Sequence, residues 1–281
     1  MTNQNIQSVL ADAGNKLAST SDSGLLDAEL LLCHCLHKSR TFLRAWPEKL
    51  LDNIELSLYQ KLISQRQQGI PVAYLTGSRE FWSRDFKVSK EVLIPRPDTE
   101  LLIELSLKLM PDKQSIKLID LGTGSGIIAI TLAAENPLAL ITATDISSNA
   151  LKIARHNAER YHLNNICFKQ SIWFSDIDDN FDLVISNPPY IAANDPHLQQ
   201  DGIQHEPQGA LISPEQGLQD IRIIANQARW HLNPKGHLLI EHGYNQQADV
   251  QAIFKSFNYQ QIFTHTDLSG NPRVTTGIWN Q

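Results

Sequence analysis

Residues 117–135 read KLIDLGTGSGIIAITLAAE, and the order of chemistry along this stretch decides the fold. The first five residues have the length and apolar content of a buried strand. A loop with glycines at 122, 124 and 126 follows. Apolar helix-forming residues then run on to Glu135. A strand passing through a tight glycine turn into a helix is the opening half of a βαβ unit. The glycines permit the turn and let a ligand approach the main chain closely. The start of the helix presents unpaired N–H groups and a partial positive charge.

Reading toward the C-terminus, strand and helix patterns alternate. LITATDI (140–146) is a strand, and the helix after it, 147–161, has Ser147 as its expected N-cap. ICFKQS (166–171) and FDLVIS (181–186) are further strands. A long helix is expected over 215–232, a strand over 237–243 and a helix over 247–257. Two strands, 260–265 and 273–279, close the chain without a helix between them. The alternation predicts an α/β fold with a doubly wound, mostly parallel sheet. The last two strands predict an antiparallel C-terminal end.

Toward the N-terminus the pattern differs. Residues 1–80 read as a small all-α bundle, with one helical stripe through Leu26, Leu30, Cys33 and His37 and another through Leu51, Ile54, Leu58 and Leu62. Residues 81–96 read as a linking β-hairpin with strands at 86–88 and 92–94, and 97–281 as the α/β domain. A helix whose cap is Asp98 or Thr99 opens that domain.

Asp145 lies at the tip of the second α/β strand, nineteen residues past Gly126. A carboxylate there can accept from both hydroxyls of a ribose, so loop and Asp145 together point to an adenosine-containing cofactor. The motif does not name it. Gly124, Gly126 and Ala129 also fit the loose dinucleotide pattern, so NAD and S-adenosylmethionine both stand at this point.

FDLVIS runs into Asn187-Pro188-Pro189-Tyr190. The strand carrying it should end beside the glycine loop, where strand order reverses and ligands bind. The Asn187 side-chain oxygen and the Pro188 carbonyl can accept the two hydrogens of a planar amino group. The two prolines stiffen that carbonyl, and Tyr190 offers a flat face. Two fixed acceptors favour a tetrahedral nitrogen and aim its lone pair at an electrophile, which is positioning and electrostatic preorganisation. A rigid turn with Tyr190 as core filler is the plainer reading.

The segments REFWSRDFKVSKEVLIPRPDTE, DLGTGSGIIAITLA, FDLVISNPPYI, HEPQGAL and LLIEHG occur in this order. With the helical N-terminal part they resemble the release-factor glutamine N5-methyltransferases, which are class I S-adenosylmethionine-dependent enzymes. The resemblance implies methyl transfer to the glutamine of the Gly-Gly-Gln motif in bacterial class I peptide chain release factors. It implies a cofactor site of Asp120, Gly122, Thr123, Gly124, Ser125, Gly126, Asp145, Trp173 and Asn187. It implies an amide clamp of Asn187, Pro188, Pro189 and Tyr190, with Asn187, Pro188 and Tyr190 carrying the chemistry. It implies no metal, and release-factor recognition by the N-terminal domain. The family usually has an acidic residue before the tryptophan, where this chain has Ile172.

Composition narrows the alternatives. The chain has 281 residues, 42% of them hydrophobic, and a net charge of −6. An adenine-N6 nucleic-acid methyltransferase can use the same clamp but normally carries a basic groove, and none is visible. An NAD-dependent oxidoreductase has no evident use for Asn187 to Tyr190, and a non-catalytic release-factor binder is the third alternative. Three cysteines argue against a disulfide framework. The N-terminus lacks signal-peptide character, so a cytoplasmic monomer is expected. Cys33, Cys35 and His37 are read as structural. Arg96 and Glu100 either border the site entrance or form a solvated ion pair. The polar stretch 191–215 is expected to act as a lid anchored at Glu206 and Pro207. Trp230 and Trp279 are read as packing.

Overall fold

A computed structural model describes residues 4–110, 115–200 and 202–280. The chain forms two compact units, Met1–Ser78 with Pro196–His205, and Arg79–Asp195 with Glu206–Gln281.

The first unit contains α1 (Ile6–Leu17), α2 (Gly24–Leu36), α3 (Arg40–Ala45), α4 (Asn53–Gln67) and α5 (Val72–Thr76). Capping boxes built on Asn5 and Asp52 start α1 and α4. Inside the bundle Arg66 Nε donates to Asp27 at 2.8 Å, and the Ser21 and Ser23 hydroxyls donate to the same carboxylate at 2.7 and 3.0 Å. A buried ion pair with its remaining valences filled in this way avoids the cost of an unmatched charge. The buried face of α2 is Ala28, Leu31, Leu32, Cys35 and Leu36, so the expected stripe through Leu26 and Leu30 is turned outward. Likewise α4 buries Tyr59, Leu62, Ile63 and Arg66 and exposes Ile54 and Leu58. Each helix carries apolar residues on more than one face, and packing partners chose among them.

The second unit opens with a hairpin, β1 (Ser78–Phe81) and β2 (Arg84–Lys87). It lies earlier than the expected 86–88 and 92–94, because Trp82 and Ser83 take the positive φ values that make the turn. Phe81 and Phe86 bury into the core beside Leu102 and Ile103, so the hairpin is part of this unit rather than a free linker. The helix α6 (Thr99–Leu109) follows, with Asp98 at its cap position but no side-chain cap bond.

The remaining elements are β3 (Lys117–Leu121), α7 (Ile127–Glu135), β4 (Leu140–Asp145), α8 (Ser148–Arg160), β5 (Ile166–Gln170), β6 (Phe181–Ser186), α9 (Pro214–Gly217), α10 (Gln219–Ala228), β7 (Leu232–Glu241), α11 (Gln247–Ser256), β8 (Gln260–Thr266) and β9 (Pro272–Trp279). The sheet order is β5-β4-β3-β6-β7-β9-β8. The five strands from β5 to β7 are parallel, and β9 is antiparallel to both β7 and β8. Alternate residues feed the two sheet faces. Leu118, Leu183 and Ile185 pack with α6 and α7, whereas Ile119, Leu121 and Val184 pack with α10 and α11. This is the class I methyltransferase fold.

Ser147 caps α8 by accepting from Ala150 N, as expected. The single helix expected over 215–232 is not formed. Glu215 and Gln216 have φ of 52° and 57° and Gly217 has 86°, which separates a left-handed turn from α10. At the other end Leu232 leaves helical geometry to pair with Phe181. Trp230 is exposed, beside Arg229, whereas Trp279 is buried against Tyr259. Among the described residues no helix is long and apolar enough to cross a membrane.

Candidate active site

The strand order reverses between β4-β3 and β6, so the carboxyl ends of β3 and β6 flank a crevice. Leu121 and Ser186 are in register, and the Ser186 hydroxyl donates to the Leu121 carbonyl at 2.8 Å. The glycine loop and Asn187 therefore leave the sheet side by side.

Gly122, Gly124 and Gly126 have φ of +73°, +55° and +87°, which side chains with a Cβ rarely adopt. A Cβ on Gly124 would meet nothing within 4 Å, and one on Gly122 only the Trp173 ring at 3.5 Å. Both glycines thus face open space. Gly126 differs, since its Cβ would lie 2.7 Å from Ile130, so it serves close packing and not the cavity. The Asp120 carboxylate is also turned inward. It is fully buried, and its Oδ2 accepts from Thr123 Oγ1 at 2.6 Å and Ala129 N at 3.3 Å. Burial pushes it up to about 7, against those two hydrogen bonds. It organises the loop from behind.

Asp145 accepts from Gly124 N at 2.9 Å and Ser147 N at 2.8 Å, one on each oxygen. Each oxygen keeps a lone pair for a further donor. Burial raises its pKa, opposed by the two N–H groups. The loop is also held from outside. Asn157, fully buried, accepts from Lys87 N at 2.8 Å and donates to the Lys87 and Ser125 carbonyls at 3.1 and 2.8 Å.

The Asn187 amide donates through Nδ2 to Thr99 Oγ1 at 3.1 Å, which leaves Oδ1 as an acceptor. Pro188 is buried. The Tyr190 carbonyl accepts from Gln246 Nε2 at 3.0 Å, and its phenol makes a long 3.4 Å bond to Glu241 Oε1. Burial raises the phenol's pKa strongly.

A cavity of about 440 Å³ joins these features. Its wall includes residues 122–125, Asp145, Ile146, Ile172, Trp173, Asn187 and Pro189, with Arg96, Thr99, Pro207, Gly209 and Ala210. Asp120, Gly126, Pro188 and Tyr190 are outside that wall. Of the sites expected from sequence, the structure thus brings eight to the wall of one cavity, and these four are not part of that wall. Arg96 pairs with Glu206 and not with Glu100. The Glu206 carboxylate also accepts from Ile94 N at 3.0 Å, tying the polar stretch to the cavity rim. Thr99, Glu241, Gly217 and Gln246 were not singled out as site residues, because their relation to Asn187 and Tyr190 exists only after folding. Cys33 and Cys35 have thiols raised by burial, and among the described residues no cluster of metal-binding side chains occurs.

The cavity suits an adenosine-containing ligand. Its volume falls in the range of small-molecule sites, roughly 300–1,000 Å³. It pairs an uncrowded glycine cradle with the Asp145 carboxylate and an apolar side at Ile146, Ile172 and Trp173.

Comparison with known proteins agrees with this geometry. A PrmC N-terminal domain model matches residues 8–77, and a methyltransferase small domain model matches residues 98–206. The chain is 46% identical over 278 residues to the release factor glutamine methyltransferase of Vibrio cholerae, spanning 97% of this chain and 96% of that protein. It is 44% identical to that of Shewanella oneidensis, over 94% of this chain and 92% of that one. Among solved structures, a methyltransferase from Pyrococcus furiosus shares the fold with a TM-score of 0.55 and 17% identity, over 80% of this chain and all of that one (100%). Fold, cavity and near-full-length similarity lead to one assignment: this chain belongs to the release factor glutamine methyltransferase family.

Proposed function

We propose that the chain transfers the methyl group of S-adenosylmethionine to the side-chain amide nitrogen of the Gly-Gly-Gln glutamine in class I peptide chain release factors, giving N5-methylglutamine. The observation that carries the reading is the polarity of Asn187. Its N–H is committed to Thr99, so its oxygen is left for an incoming amide, beside the glycine cradle.

In this reading Asp145 accepts from the ribose hydroxyls. The main chain of residues 122–125 lines the methionine side, and Trp173 and Ile172 face the adenine. S-adenosylmethionine, when bound, supplies an electrophilic methyl group. The chain's own residues do the rest. Asn187 Oδ1 and the Pro188 carbonyl accept the two amide hydrogens, and Tyr190 supports the planar group. The lone pair is thereby directed at the methyl group and the developing positive charge is stabilised. Asn187 is not basic, so the proton leaves to water after transfer. Pro207, Gly209 and Ala210 border the cavity and close over the glutamine.

The N-terminal unit recognises the release factor away from its tip. Large apolar side chains stand exposed there, with Trp46 at 61% and Ile54 at 80%.

The test is incubation with labelled S-adenosylmethionine and a class I release factor, followed by peptide mass mapping. One methyl group on the Gly-Gly-Gln glutamine is expected. Label elsewhere, or on nucleic acid instead, overturns the reading.

A further inference from the structure

β4 and β5 end side by side, with Asp145 paired to Gln170. The chain just beyond them supplies Ile146, Ile172 and Trp173 to the cavity wall. Ile146 is 64% exposed and Ile172 56%, although such side chains are usually buried. Both line the same cavity as the Asp145 carboxylate. The turn that presents Ile172 has an uncommon shape. Trp173 has φ of 52°, a left-handed conformation that a bulky residue seldom takes and that gathers at functional sites. Ser171 holds the turn: its Oγ donates to the Trp173 carbonyl at 3.0 Å and accepts from Asp176 N at 3.2 Å.

The polar groups at this end of the cavity are already engaged. The Ile172 carbonyl accepts from Ser175 N at 3.0 Å and Ser175 Oγ at 2.8 Å, which fills both its lone pairs. The Ile146 carbonyl accepts from Gln170 Nε2 at 2.9 Å, and the Ser147 hydroxyl accepts from Ala150 N at 3.1 Å. Among the described residues the carboxylates of the wall belong to Asp145, Glu91 and Asp220. Asp145 already takes two N–H groups, and Glu91 accepts from Asn149 at 3.1 Å. Asp220 is tied elsewhere: its N donates to Ser213 Oγ at 3.1 Å, and Ser213 N donates to the Ile191 carbonyl at 3.0 Å, just past the Asn187 turn.

Adenine carries a broad apolar face and, at its 6-position, an amino group with two donors. A site that reads such a group sets an acceptor against it and rejects a ligand that lacks it. The wall beyond Asp145 sets two branched aliphatic side chains and an indole there instead. We propose that Ile146, Ile172 and Trp173 hold the purine ring of the cofactor by apolar contact, and that no group of the protein reads its 6-amino group. Ile172 is then a specificity-determining residue, and the enzyme takes cofactors altered at the 6-position. The proposal rests on the functional reading above and deepens it at the cofactor end.

The experiment is calorimetry of S-adenosylhomocysteine and of its 6-deamino analogue, in which hydrogen replaces the amino group. Wild type, Ile172→Asp and Ile172→Ala are compared. The wild-type chain should bind the two ligands within about threefold of each other, and a larger preference for the amino form overturns the proposal. Ile172→Asp should acquire a preference of about tenfold or more for the amino form, because a charged acceptor then meets the two donors. Equal affinities in that variant overturn the place of residue 172 beside the 6-position. Ile172→Ala should weaken both ligands alike by about fivefold, the scale of losing roughly 40 Å² of apolar contact, and unchanged affinities overturn the apolar contact. Selective binding of the amino form by wild type overturns the proposal alone. No binding of S-adenosylhomocysteine by wild type overturns the functional reading, and the proposal with it.

Discussion

Gly217 to Ala is a single-methyl test of how the Asn187–Tyr190 turn is supported. A Cβ on Gly217 would lie 2.0 Å from the Tyr190 carbonyl oxygen and 2.7 Å from Gln246 Nε2. The first is main chain and cannot swing aside, so restoring an ordinary 3.4 Å contact moves the Tyr190 backbone or Gly217 by about 1.4 Å. A misplacement of about 1 Å at a reacting geometry costs roughly 100-fold in rate. Gly217 also has φ of +86°, and alanine in that region costs about 1–2 kcal/mol. Gly270 separates the two effects. Its φ is +83°, yet its Cβ would meet nothing within 4 Å. Both variants should therefore lose about 1–2 kcal/mol in urea denaturation, with a further loss in Gly217→Ala. Only Gly217→Ala should lose about 100-fold in single-turnover methyl transfer, with S-adenosylhomocysteine affinity near wild type because the glycine loop is on another strand end. Wild-type turnover by Gly217→Ala, or an equal turnover loss in Gly270→Ala, refutes the reasoning.

Further outcomes are expected at the cofactor side. Asp145→Ala should weaken S-adenosylhomocysteine binding in calorimetry by about tenfold or more, the loss of charge-assisted hydrogen bonds worth roughly 1.5–3 kcal/mol, and unchanged affinity removes Asp145 from the ribose site. Asn157→Ala strips a fully buried amide of bonds to Lys87 and Ser125. It should cost roughly 2–5 kcal/mol by leaving buried partners unsatisfied and should weaken cofactor binding as the loop loosens, measured by urea midpoint and calorimetry together. Asp120 gives a pH signature. Its folded pKa is raised, from 3.8 to about 7, so the folded state holds a proton that the unfolded chain releases. Its contribution to stability therefore falls as pH rises through about 4 to 7 and is level above that, by up to ~4 kcal/mol in total. Asp120→Asn should flatten that part of the stability–pH profile, and an unchanged slope between pH 5 and 8 contradicts the assignment.

Much of the cavity was legible in the residue order. Glycines 122 and 124, Asp145 and Asn187 each sit at the end of a strand pattern, and a parallel sheet must bring strand ends to one edge. Gly126 looked like its neighbours in the loop and proved to be a packing residue, since only the fold shows that Ile130 and Ala154 fill the space beside it. Asp120 was counted as a ligand contact for the same reason, although its carboxylate points away from the cavity. On α2 and α4 the periodicity was real but ambiguous, and the buried stripe was settled by neighbouring helices. The break at Glu215 and Gln216 left no trace in the apolar pattern, because a left-handed turn is a backbone choice that Gly217 and its contact with Tyr190 impose.

The sequence by itself determined the sheet, the order of its elements and the edge at which chemistry must gather, because hydrophobic period and glycine placement act locally. The tertiary structure alone decided which way the Asn187 amide points. That direction depends on Thr99, 88 residues away from Asn187. A hydrogen bond's polarity is set by which groups meet, and chain order does not state that.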